Sequence, residues 1–239
     1  MIYVGTAAWT IPRESKPRFD SGDSQLQIYA TRFNAVEINS SFYRPHRPAT
    51  YTRWAASVPK HFRFAVKMPR SITHEQRLKE TDELLDAFLA QVGALGDKLG
   101  PILIQLPPSL KLDTRVARKF LNGFRDRFKG DAVCEPRHTS WFTAEADAML
   151  NDFHIARAAA DPQPVAGADE PGGWRGALYF RLHGSPRIYY SNYDAEQLGM
   201  FAARLKKAPK IDVSVWCIFD NTAEGAATRN ALALNELLA

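Results

Sequence analysis

Charged side chains alternate with bulky aliphatic ones in several short strand-like runs of this sequence. In one run Glu37 lies between Val36 and Ile38, and in others Lys67 and Arg181 occupy equivalent positions. Successive side chains on a strand point to opposite faces, so the polar set shares one face. A buried charge is costly unless it is paired or functional. The alternation therefore predicts a polar cup built from the ends of neighbouring strands.

The residue types in this predicted cup could perform acid–base chemistry on a small anionic molecule. Carboxylates and imidazoles transfer protons, and guanidinium groups bind carboxylate or phosphate through paired hydrogen bonds. The residues predicted to be catalytic are Glu37, Glu135, His183, Lys67 and Asp220. The residues predicted to bind substrate are Asn39, Tyr43, His74, Gln105, Arg137, His138, Trp141, Arg181, Tyr190 and Asn221. This pattern favours an enzyme of the hydrolase or lyase class and leaves its reaction open.

A second hypothesis is a metal-dependent phosphodiester hydrolase that resembles the apurinic-endonuclease barrels. Carboxylates and histidines at several strand ends could hold a divalent ion. The pool of candidate ligands is Glu37, His74, Glu135, His138, Asp161 and His183. The sequence contains no HxH or HExxH pair, and three cationic side chains share the same cup. The cofactor therefore stays unknown, with a divalent metal as the open alternative.

Lys67 permits another chemistry, because a desolvated lysine at a strand end can form a Schiff base with a carbonyl substrate. The alternative interpretation of the same position is a lysine held in a salt bridge. The sequence does not decide between these two roles for Lys67.

A non-enzymatic hypothesis, nucleic-acid binding, rests on two basic clusters of the sequence. The first cluster comprises Lys111, Arg115, Arg118, Lys119, Arg125, Arg127 and Lys129, and the second comprises Lys206, Lys207 and Lys210. Such clusters can bind a nucleic-acid backbone, or they can simply form a solvated outer face of a helix. The formal net charge of +5 permits an anionic partner without requiring one.

The elements that would position these residues recur about every 30 residues, the length that one strand–helix unit needs. The strand-like runs are Ile2–Thr6, Ala35–Asn39, Arg63–Lys67, Ile102–Leu106, Ala132–Glu135, Ile155–Ala160, Ala177–His183 and Val213–Asp220. Amphipathic helices separate them, with Asp113 as a predicted N-cap and with Ser24–Gln27 and Asp194–Gln197 as predicted capping boxes. The pattern predicts an α/β fold, a single (β/α)8 TIM barrel over residues 1–239. Active sites of such barrels lie at the carboxyl ends of the strands.

One unit of the predicted barrel is irregular. Residues 161–174 read DPQPVAGADEPGGW, and their prolines and glycines exclude a long helix. We therefore expect a loop in place of the sixth helix. It is either a mobile lid over the site or an ordinary exposed connection.

The sequence also predicts the compartment of the protein. It contains no run of about 18 apolar residues, so no membrane span is expected. Its first residues lack the charged and apolar regions of a secretory signal. Cys134 and Cys217 lie within apolar runs, which is typical of reduced core thiols. A cytoplasmic protein with no membrane contact is expected.

Several motifs resemble the family known as domain of unknown function 72. They are VEINSSFYRPHRPATYTRW, SITH, LGPILIQLPPS, CEPRHTSWF, YFRLHG and FDNTAEGAATRNAL, and they extend in family order from Gly5 to Leu238. The resemblance implies a TIM barrel with no established reaction. Matching motif positions are Glu37, Asn39, Phe42, Tyr43, Lys67, His74, Gln105, Pro107, Glu135, Arg137, His138, Trp141, Arg181, His183, Gly184 and Asn221.

Two departures from the family pattern concern the substrate more than the fold. The chain has Asp220-Asn221 after its last strand, where the family tends to carry an Asn pair. The first strand–helix loop is also short of the usual aromatic segment. Both differences put the substrate specificity of this chain in question.

Overall fold

A computed structural model describes residues 1–209 and 212–239, in which strands and helices alternate along the chain. The strands are β1 (Ile2–Thr6), β2 (Ala35–Ile38), β3 (Arg63–Lys67), β4 (Leu99–Gln105), β5 (Ala132–Glu135), β6 (Ala156–Arg157), β7 (Ala159–Asp161), β8 (Gly172–Gly173), β9 (Ala177–Leu182) and β10 (Ser214–Phe219). The helices are α1 (Gln25–Ala30), α2 (Ser40–Tyr43), α3 (Pro48–Ala56), α4 (Asp82–Val92), α5 (Thr114–Arg127), α6 (Ala144–Asp152), α7 (Ala195–Lys206) and α8 (Ala226–Leu238). Each predicted strand-like run is confirmed, except that the sixth is divided at Ala158.

The strands form two sheets. One has the order β1-β10-β9-β7, and the other has the order β2-β3-β4-β5-β6-β8. The pairings are parallel, apart from the short antiparallel pair of β6 with β8. Parallel neighbours need a crossover connection, and the intervening helices supply it. The predicted α/β fold with parallel sheets is confirmed.

A tyrosine side chain joins the two sheets where β1 lies beside β2. The Tyr29 hydroxyl accepts a hydrogen bond from the Thr6 amide at 2.9 Å and donates one to the Ala35 carbonyl at 3.0 Å. Just beyond, the Ala8 amide donates to the Glu37 carbonyl at 2.9 Å. Tyr29 therefore satisfies backbone groups that two directly paired strands would satisfy for each other.

The sheets meet a second time within the segment that contains β6 and β7. β6 pairs with β5, whereas β7 pairs with β9 of the other sheet. Between them, the Ala158 amide donates to the Cys134 carbonyl at 2.9 Å. One short stretch of chain thus contributes to both sheets.

Side chains of the strands divide between two apolar clusters, as period-two alternation requires. The larger cluster lies between strands and helices and includes Val36, Ile38, Phe64, Val66, Ile104, Cys134, Phe180, Leu182 and Cys217. The smaller cluster takes the alternate positions of both sheets and includes Ala35, Ala65, Leu103, Val133, Ala156, Tyr179, Trp216 and Ile218. The predicted alternation is confirmed, and the polar strand-end residues continue the second set.

Three helices begin at the predicted caps. The side chains of Ser24, Asp113 and Asp194 each accept a backbone N–H from the first turn of α1, α5 and α7. Asp194 and Gln197 form the full reciprocal capping box. Within the described ranges, Gln27 does not return a bond to Ser24, so only half of that predicted box is formed.

Residues 161–174 form a loop without a helix, as predicted. Arg157 holds this loop, because its guanidinium donates to the Gly167 and Glu170 carbonyls and to both carboxylate oxygens of Asp147. Arg204 donates to the Asp169 carbonyl at 2.7 Å. These contacts fasten the loop to α6 and α7, which supports a fixed connection over a mobile lid.

The longest helix of residues 1–209 and 212–239 is α5, which has 14 residues. A transmembrane helix needs about 20 predominantly apolar residues. Within those ranges, no helix combines the length and the apolar character that crossing a bilayer requires.

Both cysteines are buried free thiols on strands. Cys134 lies on β5 and Cys217 on β10, in different sheets. Burial raises the pKa of both thiols, since a thiolate is poorly solvated in an apolar core. The two residues therefore pack as small apolar side chains, as the sequence predicts.

Candidate functional site

Arg181 lies at the centre of the polar cluster at the carboxyl ends of the strands. Its Nε and Nη2 donate to the two carboxylate oxygens of Glu37 at 3.0 and 2.6 Å, and its Nη1 donates to Glu135 at 2.9 Å. A carboxylate oxygen of Asp220 lies 3.2 Å from Nη2. Burial opposes the charge of Arg181, but these three carboxylates raise its pKa well above the usual value. The guanidinium is fully buried and engaged, so it forms the floor of the cup.

Glu37 lies beneath this floor and is completely buried. Besides its two bonds from Arg181, it accepts a hydrogen bond from the Tyr179 hydroxyl at 2.8 Å. The alternation of β9 placed Tyr179 on the polar face, but sequence reasoning assigned it no role. Glu37, predicted to be catalytic, thus contacts Arg181 and Tyr179 below the opening.

His183 bridges two carboxylates just above Arg181. Its Nε2 lies 2.9 Å from a Glu135 oxygen, and its Nδ1 lies 3.0 Å from an Asp220 oxygen. Because both ring nitrogens face carboxylates, the imidazolium form can donate at both ends. Burial opposes that charge, but Glu135 and Asp220 raise the pKa of His183. His183 therefore stores a proton between its two acidic partners.

Burial alone would raise the pKa of both carboxyls, yet their cationic neighbours reverse this effect. Arg181 and Arg137 hold the pKa of Glu135 well below its usual range, and Arg181 with His183 lowers that of Asp220. Both groups are therefore carboxylates near neutral pH. In this arrangement they accept hydrogen bonds from Arg181, Gln105 and His183.

Arg137 approaches Glu135 from the open side of the cup. Its Nη2 lies 3.4 Å from a Glu135 oxygen, and its side chain is 24% exposed. Burial opposes its charge, but Glu135 and Tyr189 raise its pKa. Gln105 also contacts Glu135, because its Nε2 donates a hydrogen bond to a Glu135 carboxylate oxygen at 2.8 Å. Arg137 is thus a guanidinium of the cup that retains access to solvent.

Lys67 projects from the end of β3 and is 8% exposed. Its Nζ lies 4.1 Å from the centre of the Phe42 ring. Within the ranges that the structure describes, no carboxylate oxygen lies within 4.0 Å of this nitrogen. Burial and the nearby Arg181 lower the pKa of Lys67 to about 8. The sequence motifs included Phe42 but did not predict its contact with this amine.

His74 packs on the other side of Phe42, with ring centres 4.9 Å apart. Its Nδ1 lies 2.8 Å from the Thr73 hydroxyl oxygen. Burial and the neighbouring cations, chiefly Lys67 and Arg137, lower its pKa to about 4. His74 is therefore a neutral imidazole beside the cup at physiological pH.

Asn39 follows β2 directly and precedes the turn that carries Phe42. Its side-chain oxygen Oδ1 is buried, with no hydrogen-bond partner among the described residues. A buried acceptor of this kind is costly unless a ligand or water satisfies it. The substrate-binding role that the sequence predicted for Asn39 therefore stays a prediction.

Two predicted binding residues after β5 make structural contacts instead. The Trp141 indole donates to the Leu110 carbonyl at 3.0 Å, and its ring lines a separate cleft of about 250 Å³. The His138 side chain accepts the Ser140 amide at 3.2 Å and caps a short 3₁₀ turn. Neither residue contacts Glu135, Arg181 or Lys67 in the described hydrogen-bond network.

Three further predicted residues lie at the end of α2 and on the loops that follow β9 and β10. Tyr43 is 73% exposed, and Tyr190 is covered by the Arg187 guanidinium at 3.8 Å from its ring centre. Asn221 is fully buried, and its amide nitrogen donates to the Ser191 carbonyl at 2.8 Å. Asn221 therefore supports the loop that carries Tyr190.

The pool of predicted metal ligands is distributed among other partners. Glu37 and Glu135 accept from Arg181, His138 caps a turn, and Asp161 accepts the Tyr193 hydroxyl at 2.6 Å. Across residues 1–209 and 212–239, no three His, Cys, Asp or Glu side chains are grouped so that they could hold a metal ion. The donor set of the described residues thus gives no support to the metal hypothesis.

Several side chains of the first basic cluster are paired within the molecule. Arg127 bridges to Asp82 and Asp86, and Arg118 pairs with Asp152. Arg125 donates to backbone carbonyls, including that of Phe153 at 2.7 Å. Lys210, of the second basic cluster, lies outside the described residues. These contacts leave less free charge for a nucleic-acid backbone than the sequence suggests.

Comparisons with known proteins match almost the whole chain. The family model described as "Protein of unknown function DUF72" matches residues 3–239. The UPF0759 protein YecE of Escherichia coli strain K12 is 30% identical over 174 residues, which represent 70% of this chain but only 62% of that protein. The UPF0759 protein YunF of Bacillus subtilis strain 168 is 24% identical, with 100% of this chain and 95% of that protein covered.

Solved structures agree with these sequence matches. A DUF72 family protein of Enterococcus faecalis V583 superposes with a TM-score of 0.81 at 22% identity, covering 100% of this chain and 97% of that one. A DUF72 family protein of Thermotoga maritima MSB8 gives a TM-score of 0.78 at 24% identity, covering 100% and 99%. At this level of identity the similarity establishes a shared fold and carries no activity over to the chain.

Proposed function

The chain belongs to the DUF72 family, as its motifs predicted, and we propose that its polar cup binds a small anionic substrate and performs acid–base chemistry on it. The observation that carries this proposal is the position of Arg137 and Lys67. Both cations lie above a floor whose own charges are already paired. A hydrolase or a lyase is the favoured class of enzyme.

The charge balance of the cup supports an anionic ligand. Four cationic groups meet three carboxylates when Lys67 and His183 are protonated. The cations are Arg137, Arg181, His183 and Lys67, and the carboxylates are Glu37, Glu135 and Asp220. One positive charge is in excess, and the open side of the cup holds it. A carboxylate or phosphate would neutralise this charge and accept paired hydrogen bonds from Arg137.

The proton transfer is assigned to Lys67 and His183. An acid–base group works best when its pKa lies near the working pH, and the pKa of Lys67 is about 8. His183 supplies a second transferable proton, held between Glu135 and Asp220. Glu37, buried below the floor, positions Arg181 and does not reach the substrate.

We further infer that the two sheets close into one (β/α)8 barrel that spans residues 1–239. The Tyr29 contacts at the first junction and the shared β6–β7 segment at the second support this closure. The apolar cluster with members from both sheets would then be the barrel interior. The cup would occupy its carboxyl end, where barrel enzymes carry their active sites.

Titration calorimetry at low salt tests the anion site directly. Inorganic phosphate and citrate are the probes, added to the wild-type protein, to Arg137→Gln and to the control Arg118→Gln. Losing one charge-assisted contact should weaken binding by about 10- to 100-fold in Arg137→Gln. Arg118 is exposed on α5 and pairs with Asp152 rather than with a residue of the cup, so its variant should bind normally. Equal affinity in all three proteins would contradict the proposal.

A further inference from the structure

Lys67 differs from the other cations of the cup because no carboxylate is paired with it. Glu37, Glu135 and Asp220 are near enough to affect its pKa, but their oxygens are engaged by Arg181 and His183. The Phe42 ring faces the amine with an apolar surface, its centre 4.1 Å from Nζ. A lysine amine that is buried without a counter-charge is expensive to keep protonated.

Lys98 gives a useful comparison within the same chain. Its Nζ donates to the backbone carbonyls of Ala55 and Val58, so its ammonium form is held by two acceptors. Lys98 precedes the amino end of β4, whereas Lys67 lies at the carboxyl end of β3 and lacks such acceptors among the described residues. Lys98 therefore has a structural role, whereas the amine of Lys67 is available for chemistry.

We infer that Lys67 is an amine nucleophile that forms an imine with a small aldehyde or ketone bearing a carboxylate or phosphate. The inference rests on the proposed function, since Arg137 would bind the anionic group of that substrate. Lys67 lies at the end of β3 and Arg137 lies just after β5, and only β4 separates these two strands in the sheet. This placement can hold the carbonyl carbon at the amine while the anion contacts the guanidinium.

The chemical step is balanced without any further reactant. The neutral Lys67 nitrogen forms a bond to the carbonyl carbon, and the carbon–oxygen double bond opens to a carbinolamine. The two hydrogens of the amine then leave with that oxygen as one molecule of water, and a carbon–nitrogen double bond remains. We assign the transfer of the proton that this departure requires to His183, whose ring nitrogens face Glu135 and Asp220.

The surroundings of Lys67 favour the neutral amine that must attack. Burial and Arg181 lower its pKa, whereas Glu37, Glu135 and Asp220 act in the opposite sense. His74, on the turn after β3, is neutral at physiological pH and adds no charge. With a pKa of about 8, about one amine in ten is neutral at pH 7, against about one in several thousand for an ordinary lysine.

Borohydride trapping provides the test. The wild-type protein is incubated with pyruvate, reduced with sodium borohydride, digested and mapped by mass spectrometry. Reduction fixes an imine as a stable secondary amine, so the expected result is an adduct on Lys67 well above that on Lys98. Acetone serves as a control carbonyl without an anionic group, and it should label Lys67 several-fold less. Lys67→Arg keeps the positive charge and should abolish the adduct.

A second measurement on the unaltered protein covers the case in which Lys67→Arg fails to fold. Competitive acetylation over a range of pH reports when each amine becomes nucleophilic, and Lys67 should react with a midpoint near pH 8. An unlabelled Lys67, or pyruvate adducts distributed only over exposed lysines, would overturn the inference. If phosphate and citrate still bind in that case, the proposed anion site survives; if they do not bind, the proposed function fails independently.

Discussion

At the scale of single residues, the cup separates side chains that pair with one another from side chains that face the opening. Arg181 satisfies three carboxylates at once, and His183 joins two of them. A buried ion-pair network is weak evidence of stability, because apolar residues often replace such networks without loss. The network is better explained as a scaffold that fixes Glu135 beneath Arg137.

The pH dependence of folding should reveal the proton stored on His183. Its folded-state pKa is raised, so its stabilisation is complete below the unfolded pKa of 6.5 and is lost as pH rises through the folded value. Glu135 and Asp220 have lowered pKa values, so their contribution is lost as pH falls below their unfolded values. The wild-type free energy of unfolding, measured by urea denaturation, should therefore decline between about pH 6.5 and pH 8. At higher pH the lowered pKa of Lys67, about 8, acts in the opposite sense.

His183→Gln should remove this decline while keeping a side chain that can donate one hydrogen bond. At pH 6 we expect the variant to be less stable by about 1.5–3 kcal/mol, the usual contribution of a hydrogen bond to a charged group. The difference from the wild type should shrink as the pH rises. A constant difference between pH 6 and pH 9 would show that His183 does not hold an extra proton in the folded state.

The sequence predicted which residues lie on the polar face. It did not predict which of them pair with one another. Period-two alternation identified Glu37, Lys67, Glu135, Arg181 and His183 without any structure. Which cation is engaged and which is free depends on distances between strands that are far apart in sequence. For the same reason the sequence did not predict that Trp141 donates to the Leu110 carbonyl or that His138 caps the turn that follows it.

At the scale of elements, the loop of residues 161–174 shows how a missing helix is compensated. Its prolines and glycines predicted the absence of a helix from sequence alone. The side chain that holds the loop, Arg157, belongs to β6 and is nearly buried. Its guanidinium also lies 4.7 Å from the centre of the Phe142 ring. One side chain therefore connects a strand, a helix and a loop.

Arg157→Leu should release this loop without unfolding the protein. The variant loses the bonds to Gly167, Glu170 and Asp147, and leucine can still pack against Phe142. Limited digestion with proteinase K should cut residues 161–176 several-fold faster than in the wild type, as mapped by mass spectrometry. Arg118→Leu is the control, because its exposed ion pair with Asp152 includes none of the contacts that hold the loop. Unchanged cleavage would mean that other contacts hold the loop.

At the scale of the whole molecule, the regular spacing of the strands was sufficient to predict parallel α/β architecture. The way in which the two sheets join was not predictable, because side chains make part of the connection. Asn34 accepts the Val4 amide and donates to the Ile2 carbonyl, and Tyr29 acts similarly one step further along. Nothing in the local pattern of α1 marks Tyr29 as more than an apolar helix residue.

Tyr29→Phe should therefore weaken the junction between the sheets. The substitution leaves the Thr6 amide and the Ala35 carbonyl buried without partners, and we expect a loss of about 2–4 kcal/mol in the free energy of unfolding. Hydrogen exchange of the Thr6 amide should become faster. Tyr51→Phe is a matched control, since Tyr51 is equally buried and its hydroxyl has no hydrogen-bond partner among the described residues. Equal losses in both variants would refute the role of Tyr29.

The two buried thiols can report how fast each of the two sheets opens. Cys134 and Cys217 belong to different sheets, and neither can meet an alkylating reagent until its strand opens. The rate at which iodoacetamide labels each thiol therefore measures how fast the sheet that contains it opens. Equal labelling rates would show that the two sheets open together, whereas a faster rate at one thiol would identify the sheet that opens first.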